Sequence, residues 1–459
     1  MKRTLAGAVA LVVLIGLAAA RSTAADRTPS NQLTFNDDSG VQQTLTTADS
    51  FDFNNPFFQD LGRNGRTCSS CHQADQGWSV TPPGIQQRFA GTDGLDPIFR
   101  NNDGSNCEGA DLSTLGSRHA AFSLLLNKGL IRVGLDVPPN GEFTIESVDD
   151  PYGCGTPLSK ASMYRRPLPS TNLGFLSTVM WDGRETVPGQ AISDDLATQA
   201  NDATTGHAQG GPISLKQARD IVQFELGLFT AQANSNTIGS FSAAGAHGGP
   251  TPLSQQSFCI GLNDPLNILP VMPGACPTAS GGLNPLVFTI FDAWDQSTAG
   301  RKAVARGQAL FNTRTFIIDN VGGLNGNPGD PVSGQLTGTC TVCHDTPNAG
   351  NHSISMALNL GLTDESRRTP DLPLYHLKNK TTQQTIATTD PGRAMITGRW
   401  NDVGKFKGPV LRGLAARAPY FHNGAAATLD DAVNFYDTRF NIGLTAQDKA
   451  DLVAFLKAL

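Results

Sequence analysis

The sequence predicts a mainly α chain of two units, each built on one Cys-x-x-Cys-His motif and carrying long loop-rich insertions. Three observations predict it. The motif occurs twice, at Cys68-Ser69-Ser70-Cys71-His72 and Cys340-Thr341-Val342-Cys343-His344, 272 positions apart. Helical periodicity leads into the second copy and fills the C-terminus. The 49 Gly and 28 Pro, against only 7% aromatic residues, point to short elements and long connections.

The chain has 459 residues, room for two or three domains at ~150 residues each. It opens Met1-Lys2-Arg3, runs apolar from Leu5 to Ala20 and closes that stretch with Arg21-Ser22-Thr23-Ala24-Ala25. A cationic start, a short apolar run and small residues before Asp26 describe a secretory signal peptide over residues 1–25. The run falls short of the ~20 residues that span a bilayer, and no later stretch is apolar enough, so no membrane span is expected.

Residues 78–166 are rich in Gly, Asn, Asp and Pro. Around Ile213–Ala233, apolar Ala218, Ile221, Val222, Leu226 and Phe229 recur near a 3.6 period, which predicts a helix. Asn234 to Asn284 reads as an ordered insertion. We place the units at residues 26–284 and 285–459. Ala303–Phe311 is a short helix feeding the second motif. Thr428-Leu429-Asp430-Asp431 starts a helix with a capping box, carrying Leu429, Ala432, Val433 and Tyr436 on one face. A last helix starts at Thr445, with Asp448 three residues on and Leu452, Phe455, Leu456 and Leu459 aligned.

With 34 Lys and Arg against 40 Asp and Glu, and no basic block, nucleic acid is not an expected partner. Export places the eight cysteines in an oxidising compartment. Four belong to the motifs. Pairing the rest by proximity predicts disulfides Cys107–Cys154 and Cys259–Cys276, one of three connectivities that four cysteines allow.

Cys-x-x-Cys-His attaches c-type haem: two thiols add across the haem vinyl groups, and the adjacent His reaches the iron from the same turn. A zinc ribbon would need its Cys pairs about a dozen to twenty residues apart, far closer than these. Two covalently bound haems are therefore expected, on Cys68 and Cys71 with ligand His72, and on Cys340 and Cys343 with ligand His344. The other face of each iron decides function. An open position binds peroxide, while two protein ligands leave electron transfer.

Trp181-Asp182-Gly183-Arg184 stands between the motifs. Ala418-Pro419-Tyr420-Phe421-His422-Asn423-Gly424 is followed by Thr428 to Val433, and Leu444-Thr445 leads through Asp451 to Leu456. In these segments the chain resembles the bacterial di-haem cytochrome c peroxidase and MauG family. The resemblance covers both haem regions and the C-terminal unit, but not residues 78–166 or 193–284. It implies two cytochrome-c-like haem domains. The N-terminal haem would react with hydrogen peroxide, the C-terminal haem would relay electrons, and Trp181 would couple them. The family's sixth ligand to the second haem falls fourteen residues after the motif His422, which is Tyr436. Peroxidases of the family usually have Met there and MauG-type proteins Tyr. Met395 is the competing ligand.

The peroxide side departs from the family. Residues 73–90 hold no His, so the early distal ligand of reductively activated peroxidases has no counterpart. Gln199 matches the family's distal Gln, but its Pro and Glu are missing. His207 is the candidate that replaces the Glu as acid–base group, moving a proton between the oxygens of peroxide. The family often holds calcium between the haems. Its Asn ligand has no clear counterpart near Arg166-Pro167, whereas backbone ligands near Arg417 and Pro419 can persist, so calcium stays open. The expected function is a periplasmic enzyme that oxidises a small cytochrome, a cupredoxin or a protein side chain with peroxide. The alternatives are a non-enzymatic di-haem electron carrier or redox sensor, and an oxygenase like the rubber-cleaving relatives.

Overall fold

The computed structural model describes residues 30–267 and 283–459. The expected signal peptide and Cys276 lie outside the described residues.

Strands β1 (Gln32–Asp37) and β2 (Gly40–Thr46) form a hairpin in which the Asp37 carboxylate accepts from the amides of Ser39 and Gly40. The first motif follows, then α1 (Pro82–Thr92), α2 (Leu115–Ala121) and α3 (Ser123–Lys128). Strands β3 (Ile131–Asp136), β4 (Phe143–Asp149) and β5 (Lys160–Arg165) come next, with β3 and β5 paired antiparallel. Helices α4 (Ile192–Gly206) and α5 (Leu215–Leu226) lead to β6 (Leu228–Ser235), β7 (Gly239–Ser240) and α6 (Pro250–Ser254). Beyond residue 283 come α7 (Ala299–Thr313), β8 (Phe316–Ile318), β9 (Leu336–Gly338), β10 (Leu374–Asn379) and β11 (Thr385–Thr388). Helices α8 (Ala394–Thr397), α9 (Leu429–Phe440) and α10 (Ala446–Lys457) close the chain.

The mainly α expectation holds only in part, because eleven strands stand beside ten α-helices among the described residues. One helix shows why. The periodic stretch Ile213–Ala233 starts as predicted, with a Ser214/Gln217 capping box, but stops at Leu226. After Gly227, the run Leu228-Phe229-Thr230 pairs with β2 instead, and the four-stranded order is β1-β2-β6-β7. β-branched and aromatic residues prefer that pleated, half-buried setting. A second sheet, β11-β10-β4, joins residues 143–149 to the C-terminal unit.

The C-terminal helices form as expected. Thr428 Oγ1 accepts from the Asp431 amide at 3.1 Å, and Thr445 Oγ1 from the Asp448 amide at 3.1 Å. Helix α10 packs on α7, where Gly307 permits the approach: a Cβ there would lie 2.0 Å from the Asp451 carbonyl. Arg306 clamps the same contact through Asp451 at 2.7 Å. The core beneath holds Phe288, Phe291, Trp294, Phe311 and Phe455, and Phe241 and Ala246 from the 234–284 insertion pack into it.

Cys107 and Cys154 form the predicted disulfide across 47 positions. Cys259 is also disulfide-bonded, while its predicted partner lies outside the described residues. Loop-closure entropy for a span of this length is about 4 kcal/mol. Replacing both Cys107 and Cys154 by Ala is expected to lower the denaturant midpoint markedly, with the haem absorbance unchanged. No helix among the described residues is long and apolar enough to cross a membrane.

Candidate functional site

Both motifs fold into the same short turn. Residues Cys68–Ser70 and Cys340–Val342 are single 3-10 turns. The amide of His72 donates to the Cys68 carbonyl at 3.0 Å, and that of His344 to the Cys340 carbonyl at 3.1 Å. Each His then binds a backbone carbonyl through Nδ1: His72 to Trp78 at 3.0 Å, His344 to Gly350 at 2.7 Å. That bond fixes the tautomer and leaves Nε2 free to bind a metal, the usual arrangement behind a ligating imidazole. Burial pushes His72 down to about 4, so the ring is neutral, as a ligand must be. A phenylalanine packs beside each ring, Phe57 at 6.3 Å and Phe311 at 5.8 Å.

A large cleft opens over the first motif. Its empty space, counting the open mouth, is about 1520 Å³. Cys68, Cys71 and His72 line it, and so do Trp181, Gln199 and His207. Helix α4 supplies the last two. Leu196, Gln199, Ala200, Ala203, Thr204 and His207 all reach the cleft, a spacing that puts them on one helical face.

His207 does not stand alone. It ends α4, and its Nδ1 binds the Asp103 carboxylate, whose other oxygen takes Arg66. Burial alone would raise the Asp103 carboxyl, but the hydrogen bond and charge of His207, with Arg66, hold it below the usual carboxylate range. The His207 carbonyl is fixed as well, accepting from Asn64 Nδ2 at 2.8 Å. Asp103 therefore orients the ring, and Nε2 is the free nitrogen. Sequence reasoning missed Asp103 and Arg66, because no local spacing links them to a His more than a hundred positions away.

Two further cleft residues escaped the sequence. Glu225, at the end of α5, is buried with Oε2 lacking a partner, and burial pushes it up to about 8, so it holds a proton at neutral pH. Lys407 is buried, which pushes its amine down to about 7, and its Nζ donates to the Thr178 carbonyl at 2.9 Å. Charged or neutral, the amine keeps at least one further N–H for whatever fills the cleft.

Trp181 lies at the cleft wall, its Nε1 donating to the Arg166 carbonyl at 2.8 Å. Its ring meets His422 edge-on at 6.1 Å, and His422 stacks on Phe406 at 4.0 Å. At the second motif, the Tyr436 ring stands 6.3 Å from His344, packed near Cys343 and Met356. Burial, with Cys343 and Cys340 nearby, pushes the Tyr436 hydroxyl up, so it ionises only against a positive charge. Met395 is elsewhere, among Phe143, Met163, Tyr375 and Leu377.

No family model matches the chain. Among curated proteins it is similar to cytochrome-c peroxidase IdrP1 of Denitromonas iodatirespirans, 36% identical over 26% of this chain and 36% of that one. Cytochrome c551 peroxidase of Nitrosomonas europaea is 31% identical over 26% of this chain and 30% of its own. These relatives fit the family that the motifs resemble. The chain spans about a third of the length of these curated relatives. A solved MauG-like protein associated with microbial copper homeostasis aligns over 88% of this chain and 86% of its own, at 17% identity and a TM-score of 0.41.

Haem c is the cofactor this family implies, and the residues present fit it. The cleft walls pair two thiols and a neutral imidazole with apolar Leu173, Leu176, Leu196 and Val410. The remaining Lys407 N–H suits a haem carboxylate, whose charge would favour the protonated amine. Among the described residues no three His, Cys, Asp or Glu side chains converge on one metal site.

Proposed function

We propose that this chain is a periplasmic di-haem c-type cytochrome that uses hydrogen peroxide to oxidise an electron donor. The reading is carried by one cleft that gathers a Cys-x-x-Cys-His turn, Gln199, an Asp103-bound His207 and Trp181. One haem would be held by Cys68, Cys71 and His72 in the unit 26–284, and the other by Cys340, Cys343, His344 and Tyr436 in the unit 285–459. Bound haem supplies redox-active iron that can accept or release single electrons.

The protein groups do the proton work. His207 Nε2 takes a proton from incoming peroxide and returns it to the departing oxygen. Asp103 keeps the ring turned and stabilises it while it carries the charge. Gln199, one and two turns before Ala203 and His207 on α4, offers an amide donor and acceptor to the same substrate. Trp181 is the coupling element between the two haem sites, in van der Waals reach of His422.

Tyr436 favours a protein side chain as the electron donor over a small cytochrome or cupredoxin, because an anionic oxygen ligand stabilises oxidised iron. Replacing Tyr436 by Met is expected to raise the potential of one haem and leave the other unchanged. Tyr436→Phe should turn the same haem partly high-spin. Redox titration and EPR check both.

The test of the whole reading is the EPR spectrum of the isolated ferric protein, followed by stoichiometric peroxide. One high-spin and one low-spin haem that respond to peroxide support it. Two low-spin haems inert to peroxide, before and after one-electron reduction, leave an electron carrier or sensor, with His207 as the closing ligand.

A further inference from the structure

The family's calcium site does not fit this chain. In the stretch where the family's Asn ligand would fall, the chain has Arg166-Pro167. The Arg166 side chain turns inward, and the residue is 5% exposed. Its guanidinium donates to three main-chain carbonyls from three separate segments: Val80 at 2.7 Å, Lys128 at 2.8 Å and Arg417 at 3.0 Å. Arg417 is one of the two positions whose carbonyl would remain for calcium. Among the described residues Arg166 has no carboxylate partner.

Carbonyl oxygens converging from separate loops are what a hard cation requires. Here a fixed side-chain cation already occupies them. Gly129 makes room, since a Cβ there would lie 2.6 Å from Arg166 Nη1. A dication at the Arg417 carbonyl would sit against the Arg166 guanidinium, which already donates to that carbonyl at 3.0 Å, and be repelled by it. Burial, with the Arg417 charge beside it, lowers Arg166 to about 9, so it still carries its charge at neutral pH.

We infer that the Arg166 guanidinium takes the place of the family's calcium ion, cross-linking the Val80, Lys128 and Arg417 carbonyls. The consequence is local to the coupling element. The Arg166 amide donates to the His422 carbonyl at 2.6 Å, and its own carbonyl accepts from Trp181 Nε1. A residue locked at its side chain thus holds Trp181 and His422 together at its backbone. Arg166 is a positioning residue, and the relay it positions would need no metal to stay ordered.

The inference rests on the di-haem reading, which the haem content of the same sample tests separately. The experiment uses the purified holoprotein, assayed for calcium by elemental analysis, then dialysed against EGTA and returned to calcium. Expected are far fewer than one calcium per chain, and an EPR spectrum and Tm that neither EGTA nor calcium moves. About one calcium per chain, lost to EGTA with a change in the haem spectrum, overturns the inference. Arg166→Asn supplies a second reading, because it removes the cation and frees the carbonyls. Its Tm should rise with added calcium while the wild type stays blind to it. A folded R166N protein as indifferent to calcium as the wild type also overturns the inference. Should R166N fail to fold, the calcium content and EGTA response of the wild type decide alone.

Discussion

Replacing Cys68 and Cys71 together by Ser is expected to halve the covalent haem and abolish the reaction with peroxide. The pyridine haemochromogen assay should fall from two haems per chain to one, and mass spectrometry should show the loss of one haem mass. The second site should survive, because Cys340 and Cys343 pack against different clusters, one under Phe455 and the other under Phe440. Stability should fall as well. The first cleft is walled by Leu173, Leu176, Leu196, Ile221 and Val410, and the side chains alone leave it open. Single Leu-to-Ala cavities already cost ~2.7–5.0 kcal/mol. A void the size of a haem should cost about 5 kcal/mol or more, read as a lower denaturant midpoint. The mirror variant, Cys340→Ser with Cys343→Ser, should retain peroxide binding and lose oxidation of the donor. If a double Cys68/Cys71 variant still carried two haems, the first motif would not be an attachment site.

Much of this was legible where information is local. The Thr428/Asp431 and Thr445/Asp448 capping boxes announced α9 and α10, because a cap is written within four residues. The haem turns were legible for the same reason. Helix α4 was not, since Ala191 gives it no side-chain cap and its sequence is rich in Asp, Thr and Gly. Strand β4 was hidden because it finds its partner more than two hundred positions away in β10. The site divides along the same line. Gln199, His207 and Trp181 came from motif position, and the structure brings all three to one cleft. Asp103, Lys407 and Glu225 matter only through the company they keep in space. An isolated Lys in Phe406-Lys407-Gly408-Pro409 looks like any surface lysine until it proves buried.

The Asp103–His207 pair makes the sharpest demand on the chemistry. His207→Ala should slow the reaction with peroxide by roughly 10²–10⁴-fold, the usual share of a positioned acid–base group. Added imidazole should restore part of the rate, which a merely structural His would not allow. Asp103→Asn should cost less than His207→Ala and act through the same step, because the amide still bonds the ring but no longer stabilises its charged form. A double variant should then be no slower than His207→Ala alone, since the two act as one unit. Stopped-flow peroxide reaction of the four proteins measures this directly. Additive losses would mean that Asp103 serves Arg66 only. That second role has its own signature. Removing the carboxylate strands Arg66, buried at 2% exposure, and breaking a buried pair costs ~3–5 kcal/mol. The sign with pH follows from the lowered Asp103 carboxyl. Its contribution is complete above the unfolded value of ~3.9 and is lost as pH falls through the lower folded value. The wild type should therefore lose more stability than Asp103→Asn on the acid side, where Asp182 and other lowered carboxyls still act in both, while the two proteins lose stability in parallel on the alkaline side.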